Sequence, residues 1–439
     1  MKNVWSKLSI PNHIVKFNNK GYYVIINPEN ANTVKLSNDE FEIFDFLYAQ
    51  KGLNELNLNH PNFSNGEVNA IFMKLIRTNI FCLKKPSFDE DKYKTHVVHS
   101  DAYIGLTDAC NFRCIYCYAE CGPEAINEQI KILLSYEDYC KIIDEVVNVG
   151  YKKIFFTGGE PLLNPHIFKL ARYVKGKGLF CGIVSNGSLI AENNIKKFHV
   201  FDIVKISLDS NIEEINDITR GKGTYLKIIT ALNLLKANEI NIAINTVLTN
   251  HNKDVIKDLI EFVHNEYKPI EHTIANHIPV GRGACNSCEI KSEDLEKYMK
   301  DVVDSKYRLT VNHIDSVVPD KHFKNYRKTH CGMAAGEIFV NCEGKVYPCR
   351  MTYKDDYYLG NIFDIGLRKA IAKFDIYSDR FCIDNLEKCK DCDIKYLCGG
   401  GCRMLHYGYS GAIEKTSTEV CKILRSHLEN IILIENNMY

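Results

Sequence analysis

The sequence predicts an α/β core, a parallel sheet with helices outside it, set between a small α+β module and a cysteine-rich tail. Three observations predict this. Short apolar runs alternate with amphipathic stretches six times between residues 100 and 284. The residues before them group strands first and helices second. The 18 cysteines of the 439-residue chain gather in two places, three within residues 110–117 and nine from Cys331 to Cys421. A chain of this length exceeds what one hydrophobic core organises, so several domains are expected. We place them at 1–90, 100–284, a linker at 285–330, and 331–439.

In the front module, IVKF (14–17), YYVIIN (22–27) and TVKL (33–36) are short, rich in β-branched and aromatic residues, and separated by Asn, Gly and Pro. Ser37 to Asp39 then caps a helix carrying Phe41, Ile43, Phe44 and Leu47. A second helix follows Ser64, and IFCL (80–83) reads as a returning strand. The result is a winged-helix-like module. It is either a packing appendage or a peptide-binding element whose open strand edge pairs with an extended guest.

The core opens at AYIGL (102–106) and continues through KIFFTG (153–158), FCGIVSNG (180–187), IVKISLDS (203–210), NIAINTVLTN (241–250) and HTIANHIPVG (272–281). Amphipathic stretches at 136–148, 165–175, 224–237 and 253–265 separate them. Strand followed by helix, repeated, means parallel strands with helices on the outside. Ligands in such folds gather at the C-terminal strand ends. The distinctive polar loops fall there: the cysteine trio, TGGEP (157–161), SNG (185–187) and SLDS (207–210). The linker carries a helix at 293–307. The tail has few long periodic segments, so metal is expected to do part of the work of its core.

Lys+Arg and Asp+Glu both number 55, so no net field draws nucleic acid or an anionic membrane, and neither is expected as a partner. The N-terminus lacks the apolar run of a signal peptide, and no apolar stretch reaches the roughly 20 residues of a membrane span. A cytoplasmic chain keeps its thiols reduced, so its cysteines point to metal or catalysis rather than disulfides.

The trio is Cys110, Cys114 and Cys117, in TDACNFRCIYCYAE (107–120). Three thiolates in a tight loop can hold three corners of an iron–sulfur cube whose fourth iron stays open. A zinc site completed by Cys121, or a chance group of buried thiols, is the other reading. C-x3-C-x2-C with an aromatic before the last Cys resembles the signature of the radical S-adenosylmethionine (SAM) enzymes, whose fold is a partial (β/α)6 barrel. The resemblance implies that SAM chelates the open iron. It also implies that Gly158, Gly159 and Glu160 meet the methionyl ammonium. Ser185, Asn186, Ser207 and Asp209 stand at strand ends where the family contacts SAM. Arg220 would pair its carboxylate, and Tyr116 would lie near the adenine. PVGRG (279–283) matches the sixth strand end.

In the tail, Cys331-x12-Gly344-x4-Cys349 is followed by Cys389-x2-Cys392-x5-Cys398-x3-Cys402 and then Cys421. The C-x2-C pair alone suits zinc. The full order resembles the SPASM extension of radical SAM enzymes, which implies two auxiliary 4Fe-4S clusters and three in all. By that resemblance Cys331, Cys349 and Cys402 hold the first, and Cys389, Cys392, Cys398 and Cys421 the second. The fourth ligand of the first cluster is left open. Cys342 is a candidate, and an open iron that takes a substrate thiolate is the alternative. Of the remaining cysteines, Cys140 and Cys181 read as core packing, and Cys285-x2-Cys288 as loop thiols or a redox pair near the rim.

Front module, barrel and tail together resemble the thioether-forming maturases of sactipeptides and ranthipeptides. The resemblance implies an enzyme that joins a cysteine sulfur to a carbon in a ribosomally made precursor peptide. Its partners would be that peptide, bound through a leader, and a flavodoxin- or ferredoxin-type electron donor. A carbon–carbon or carbon–oxygen crosslink, or oxidative decarboxylation, is the alternative reaction on the same parts. A metal-holding peptide chaperone is the alternative without turnover.

Overall fold

The computed structural model describes residues 5–435 apart from 20, 54, 84–99, 127–133, 285–287, 292–297, 299–306, 308, 312–328, 335, 354 and 375–379. The front module is a three-stranded antiparallel sheet of β1 (Val15–Asn19), β2 (Tyr22–Ile26) and β3 (Thr33–Ser37), in that order. Helices α1 (Asn38–Ala49) and α2 (Asn65–Arg77) follow. Each opens on a reciprocal cap, Ser37 with Glu40 and Ser64 with Glu67, which satisfies two otherwise orphaned N–H groups. The returning strand expected at 80–83 is only an isolated bridge from Cys82 to Ser9.

Both faces of this sheet are covered. Ile25, Val34 and Leu36 pack with Trp5, Phe44 and Phe72 of the module's own core. On the opposite face Val15, Tyr22, Val24 and Ile26 pack against Leu397, Leu405, Val420 and Leu424 of the tail. Burial on two faces explains why β2 is a continuous apolar run rather than an alternating one.

The core is one ten-stranded sheet. Its centre is β4 (Asp101–Gly105), β5 (Lys153–Thr157), β6 (Phe180–Ser185), β7 (Ile203–Ser207), β8 (Ile242–Leu248) and β9 (Glu271–Asn276). These six neighbour one another in chain order, every pair parallel. Helices α3 (Tyr136–Val149), α4 (Ile167–Gly176), α5 (Glu213–Arg220), α6 (Thr224–Ala237) and α7 (Ile256–Glu266) alternate with them. Ile104, Ile154, Phe156, Ile183 and Val204 face the helices, against Ile142, Leu170 and Leu232. Tyr103, Phe155, Ile203 and Ala243 face the other way, into the concave side.

Two additions were not expected. Residues 310–311 of the linker form β10 (Thr310–Val311), parallel to β9. At the other edge the tail supplies β11 (Glu337–Val340), parallel to β4, then β12 (Lys345–Tyr347) and β13 (Gly360–Asn361), both antiparallel. Tail and barrel therefore share one sheet, and Phe339 and Tyr347 join Tyr103 and Phe155 on its concave face. The tail also holds α8 (Arg403–Ser410) and the 18-residue α9 (Thr418–Glu435), longer than its sequence pattern suggested. The linker helix expected at 293–307 falls mostly outside the described residues. No helix among the described residues is long and apolar enough to cross a membrane.

Candidate functional site

The cysteine loop leaves β4 at the C-terminal rim. Its base is fixed where the Leu106 carbonyl accepts from Tyr139 Oη (2.9 Å) and Asn164 Nδ2 (3.1 Å). The loop then closes on itself through Cys110 N–H to the Gly122 carbonyl (3.2 Å). The Cys114 carbonyl accepts from Cys117 N–H at 3.3 Å, which turns the two cysteines to one side. Burial pushes the Cys110 thiol up to about 12 and the Cys114 thiol up to about 11. Cys117 is lowered to about 6, chiefly by a hydrogen bond from Cys121, which lies beside it.

TGGEP packs directly against this loop. Gly159 N–H donates to the Thr107 carbonyl (2.6 Å) and Glu160 N–H to the Ala109 carbonyl (2.8 Å). A Cβ on Gly159 would stand 2.0 Å from the Ala109 oxygen. The close approach that demands glycine is thus to the protein's own loop, where the sequence suggested a ligand.

Glu160 is fully buried. Its carboxylate accepts from Ser185 Oγ (2.8 Å), Asn186 N–H (2.8 Å) and Leu162 N–H (3.1 Å). Burial pushes it up to about 7, against the pull of those donors. Asn186 in turn donates to Asn111 Oδ1 (2.8 Å) and approaches Cys110 Sγ (3.8 Å), so the SNG loop reaches the trio.

Asp209, expected to touch SAM, is a hub for protein donors. It accepts from Arg220 (2.8 Å), Thr219 Oγ1 (2.8 Å), Val247 N–H (3.0 Å) and the Tyr116 hydroxyl. Arg220 is buried and its guanidinium lies 5.6 Å from the Tyr116 ring centroid. Its Nε is buried with no hydrogen-bond partner among the described residues. Ser207 ends β7, half-buried.

Arg282 carries a role the sequence did not reveal. It donates through N–H to the Cys117 carbonyl (3.1 Å), through Nε to that of Cys114 (3.0 Å), and through Nη2 to that of Cys121. One residue after β9 thereby grips three carbonyls of the cysteine loop, two through its guanidinium and one through its backbone. Gly281, at φ +57°, brings it there: a Cβ would stand 2.5 Å from the Tyr118 carbonyl. The signal available was an arginine between two glycines.

The tail's cysteines separate into two groups. Cys389 has Cys398, Cys421 and Cys392 as its charged-group neighbours, with Arg403 nearby. Cys349 has Glu337, Arg350 and Cys402 as neighbours. Arg350 lies 4.5 Å from the Tyr103 ring centroid and bears on Tyr118 of the cysteine loop. Cys342 is not with Cys349. It lies at the opposite end of the β11–β12 hairpin, beside Asp108, which also accepts from the Tyr353 hydroxyl. Cys288 is fully buried, and Cys285 falls outside the described residues.

Among the described residues, no three His, Cys, Asp or Glu side chains close on one point as around a single metal ion. A 4Fe-4S cluster with SAM is tested instead on the chemistry of the groups present. The trio offers soft thiol donors on one loop. Glu160 is a buried carboxylate with no ion-pair partner among the described residues, suited to an ammonium. Arg220 Nε is an orphaned buried donor, suited to an anionic oxygen. These residues fit both groups.

Comparison with known proteins agrees. Residues 104–263 match the radical SAM superfamily and residues 331–393 the SPASM iron–sulfur cluster-binding domain. An AdoMet-dependent heme synthase of Oleidesulfovibrio alaskensis is 26% identical over 332 residues, 70% of this chain and 83% of that protein. The antilisterial bacteriocin subtilosin biosynthesis protein AlbA of Bacillus subtilis is 26% identical over 267 residues, 60% of this chain and 57% of AlbA. Among solved structures, Streptococcus suis SuiB bound to S-adenosylmethionine aligns over 94% of this chain and 99% of its own, with a TM-score of 0.58 and 18% identity. Native anSMEcpe with bound AdoMet aligns over 77% and 100%, with a TM-score of 0.60 and 22% identity. The structural likenesses carry the fold, and the relatives' activities differ among themselves.

Proposed function

We propose that this chain, a radical SAM enzyme with a C-terminal SPASM domain, forms a thioether between a cysteine sulfur and a carbon of a ribosomally made precursor peptide. The observation that carries the proposal is the placement of Cys349 and Arg350, from the tail, against Tyr118 of the cysteine loop. A second thiol group thus stands behind the radical site. Joining sulfur to carbon removes one hydrogen from each. One departs as a hydrogen atom, the other as a proton and an electron, and that electron needs an acceptor close by. We assign the task to auxiliary clusters on Cys331, Cys349 and Cys402 and on Cys389, Cys392, Cys398 and Cys421.

When bound, a reduced 4Fe-4S cluster and SAM supply a 5′-deoxyadenosyl radical able to take hydrogen from carbon. In this reading Cys110, Cys114 and Cys117 hold the cluster and Arg282 fixes their loop. Glu160 receives the methionyl ammonium while bracing Ser185 and Asn186. Asp209 aligns Arg220 and Tyr116, leaving Arg220 Nε for the carboxylate. Gly158, Gly159 and Ser207 shape the rim.

For the leader we assign the outer edge of β3, which pairs with no further strand among the described residues, since β1, at the opposite edge, lies beside α9. SuiB has been solved bound to its precursor peptide SuiA, and AlbA serves a bacteriocin; both support a peptide substrate. A flavodoxin- or ferredoxin-type protein would deliver the reducing electron.

The test is anaerobic. Iron- and sulfide-loaded protein is reduced and given SAM and a candidate cysteine-containing precursor. The expected product is 5′-deoxyadenosine together with a peptide lighter by two hydrogens, its fragments joined through the cysteine. A peptide that loses carbon dioxide, or whose cysteine still alkylates after a two-hydrogen loss, would replace the thioether with the decarboxylation or carbon crosslink reading.

A further inference from the structure

We propose that Glu337 is the fourth protein ligand of the first auxiliary cluster, an oxygen donor beside Cys331, Cys349 and Cys402. The inference rests on the reading that those three thiols hold a cluster.

The β11–β12 hairpin makes the case. Its register sets Phe339 opposite Tyr347 and Val340 opposite Val346. β12 ends at Tyr347, and the bend at 348–349 that follows it brings Cys349 beside Glu337 at the open end. Glu337 stands two residues before Phe339 in β11 and so lies on the same face of that strand. The side chains meet there: Cys349 Sγ is 3.3 Å from Glu337 Oε1.

The third cysteine arrives by a turn. Gly336 and Glu337 N–H both donate to the Gly332 carbonyl, at 2.9 and 3.0 Å, which folds the segment after Cys331 back onto Glu337. Ala334 N–H donates to the Pro348 carbonyl (2.7 Å), tying that turn to the residue before Cys349. Cys402, at the N-terminus of α8, is the remaining cysteine that bears on Cys349.

Glu337 is also held as a ligand carboxylate should be. Arg350 donates to it twice, through N–H to Oε1 (3.1 Å) and through Nη1 to Oε2 (3.1 Å). Metal-bound carboxylates characteristically carry such outer hydrogen bonds, which orient the oxygen and balance its charge. An ordinary surface ion pair needs no thiol on the same oxygen.

Cys342 is excluded by the same hairpin. It follows β11 at the closed end, whereas Cys349 follows β12 at the open end. Glu337 to Val340 alone spans about 10 Å at the usual strand rise. The Cys342 thiol is committed to Asp108 at the radical loop.

The test uses the full-length, anaerobically reconstituted protein labelled with iron-57, and reads iron content, Mössbauer spectra and EPR. Cys349→Ala comes first. Loss of about four irons per chain, one cube of the Cys-ligated kind, establishes the cluster; unchanged iron would remove the cluster and this proposal with it. In Glu337→Cys, iron content should stay at the parent level. The oxygen-ligated ferrous doublet of the reduced parent should give way to a sulfur-ligated one, and the EPR signal should shift. In Glu337→Ala, added 2-mercaptoethanol should perturb that signal, while the parent stays unaffected. A parent that responds to the thiol as strongly as Glu337→Ala, or Mössbauer spectra identical in parent and Glu337→Cys, would overturn the assignment and favour an open iron. A merely structural Glu337 would change stability without moving the iron signature.

Discussion

Gly159→Ala puts a methyl group where the cysteine loop's backbone already is. The added Cβ would lie 2.0 Å from the Ala109 oxygen, 2.5 Å from its carbonyl carbon and 3.0 Å from the Asp108 oxygen. These are backbone atoms, so no side chain can swing aside. The TGGEP loop must back away, breaking the bonds from Gly159 N–H to Thr107 (2.6 Å) and from Glu160 N–H to Ala109 (2.8 Å). Each is worth about 1 kcal/mol made, and more when its buried partners are left unpaired. Overpacking adds about 1–3 kcal/mol. We expect a loss of roughly 3–6 kcal/mol, a large share of a typical domain's stability. Glu160 moves with the loop, so SAM binding should fall as well. The assay is urea denaturation followed by circular dichroism, with SAM affinity measured on reconstituted protein. Gly176→Ala is the control, because its Cβ would meet nothing within 4 Å. It should be neutral or slightly stabilising. Equal unfolding midpoints and equal SAM affinity for Gly159→Ala and the parent would refute the packing argument.

Three further perturbations have defined outcomes. Arg282→Lys keeps the charge and the backbone bond to Cys117 but not the fork that meets the Cys114 and Cys121 carbonyls; iron retained after reconstitution and desalting should drop while the circular dichroism spectrum holds. Asp209→Asn strips the buried Arg220 of its counter-ion and should cost about 3–5 kcal/mol in denaturant unfolding, with Asp209→Asn/Arg220→Gln recovering part of the loss. Glu160, pushed up to about 7 by burial, binds its proton more tightly folded than unfolded. Its contribution to the metal-free protein is therefore complete below about 4.5 and lost as pH rises through about 7, roughly 3 kcal/mol in all, and Glu160→Gln should flatten that part of the stability profile. SAM binding should run the other way, weakening about tenfold per pH unit below 7 in the parent only, as titration calorimetry can show.

The strand and helix pattern of the barrel was legible because each unit buries its own apolar face, a property local to a dozen residues. Where the structure departs from expectation, the partner is remote in sequence. EIFV at 337–340 gives no sign that it pairs with residues 101–104, since a strand's sequence does not name its neighbour. YYVII reads as a strand, but the second apolar layer on it comes from residues some four hundred positions later.

The site motifs divide along the same line. The trio, TGGEP, SNG and SLDS all fall on one rim, as the alternation of strands and loops requires. Their contacts were harder to read, because a polar residue at a strand end serves equally to bind a ligand or to brace the loop that does. Asp209 braces, accepting from Arg220, Thr219, Val247 and Tyr116. On the reading proposed above Glu160 does both, since its three donors leave a buried charge with no ion-pair partner among the described residues. The tail shows the same limit for metal ligands. A search for cysteines finds Cys342 and passes over Glu337, because spacing counts thiols while a hairpin's register decides which side chains share a face. In this fold the bend after β12 puts Cys349 beside a carboxylate, and the hairpin carries the spare thiol to its other end. The composition proposed for the first auxiliary site therefore depends on the hairpin and the bend after β12, which join Cys349 to Glu337 at one end and leave Cys342 at the other.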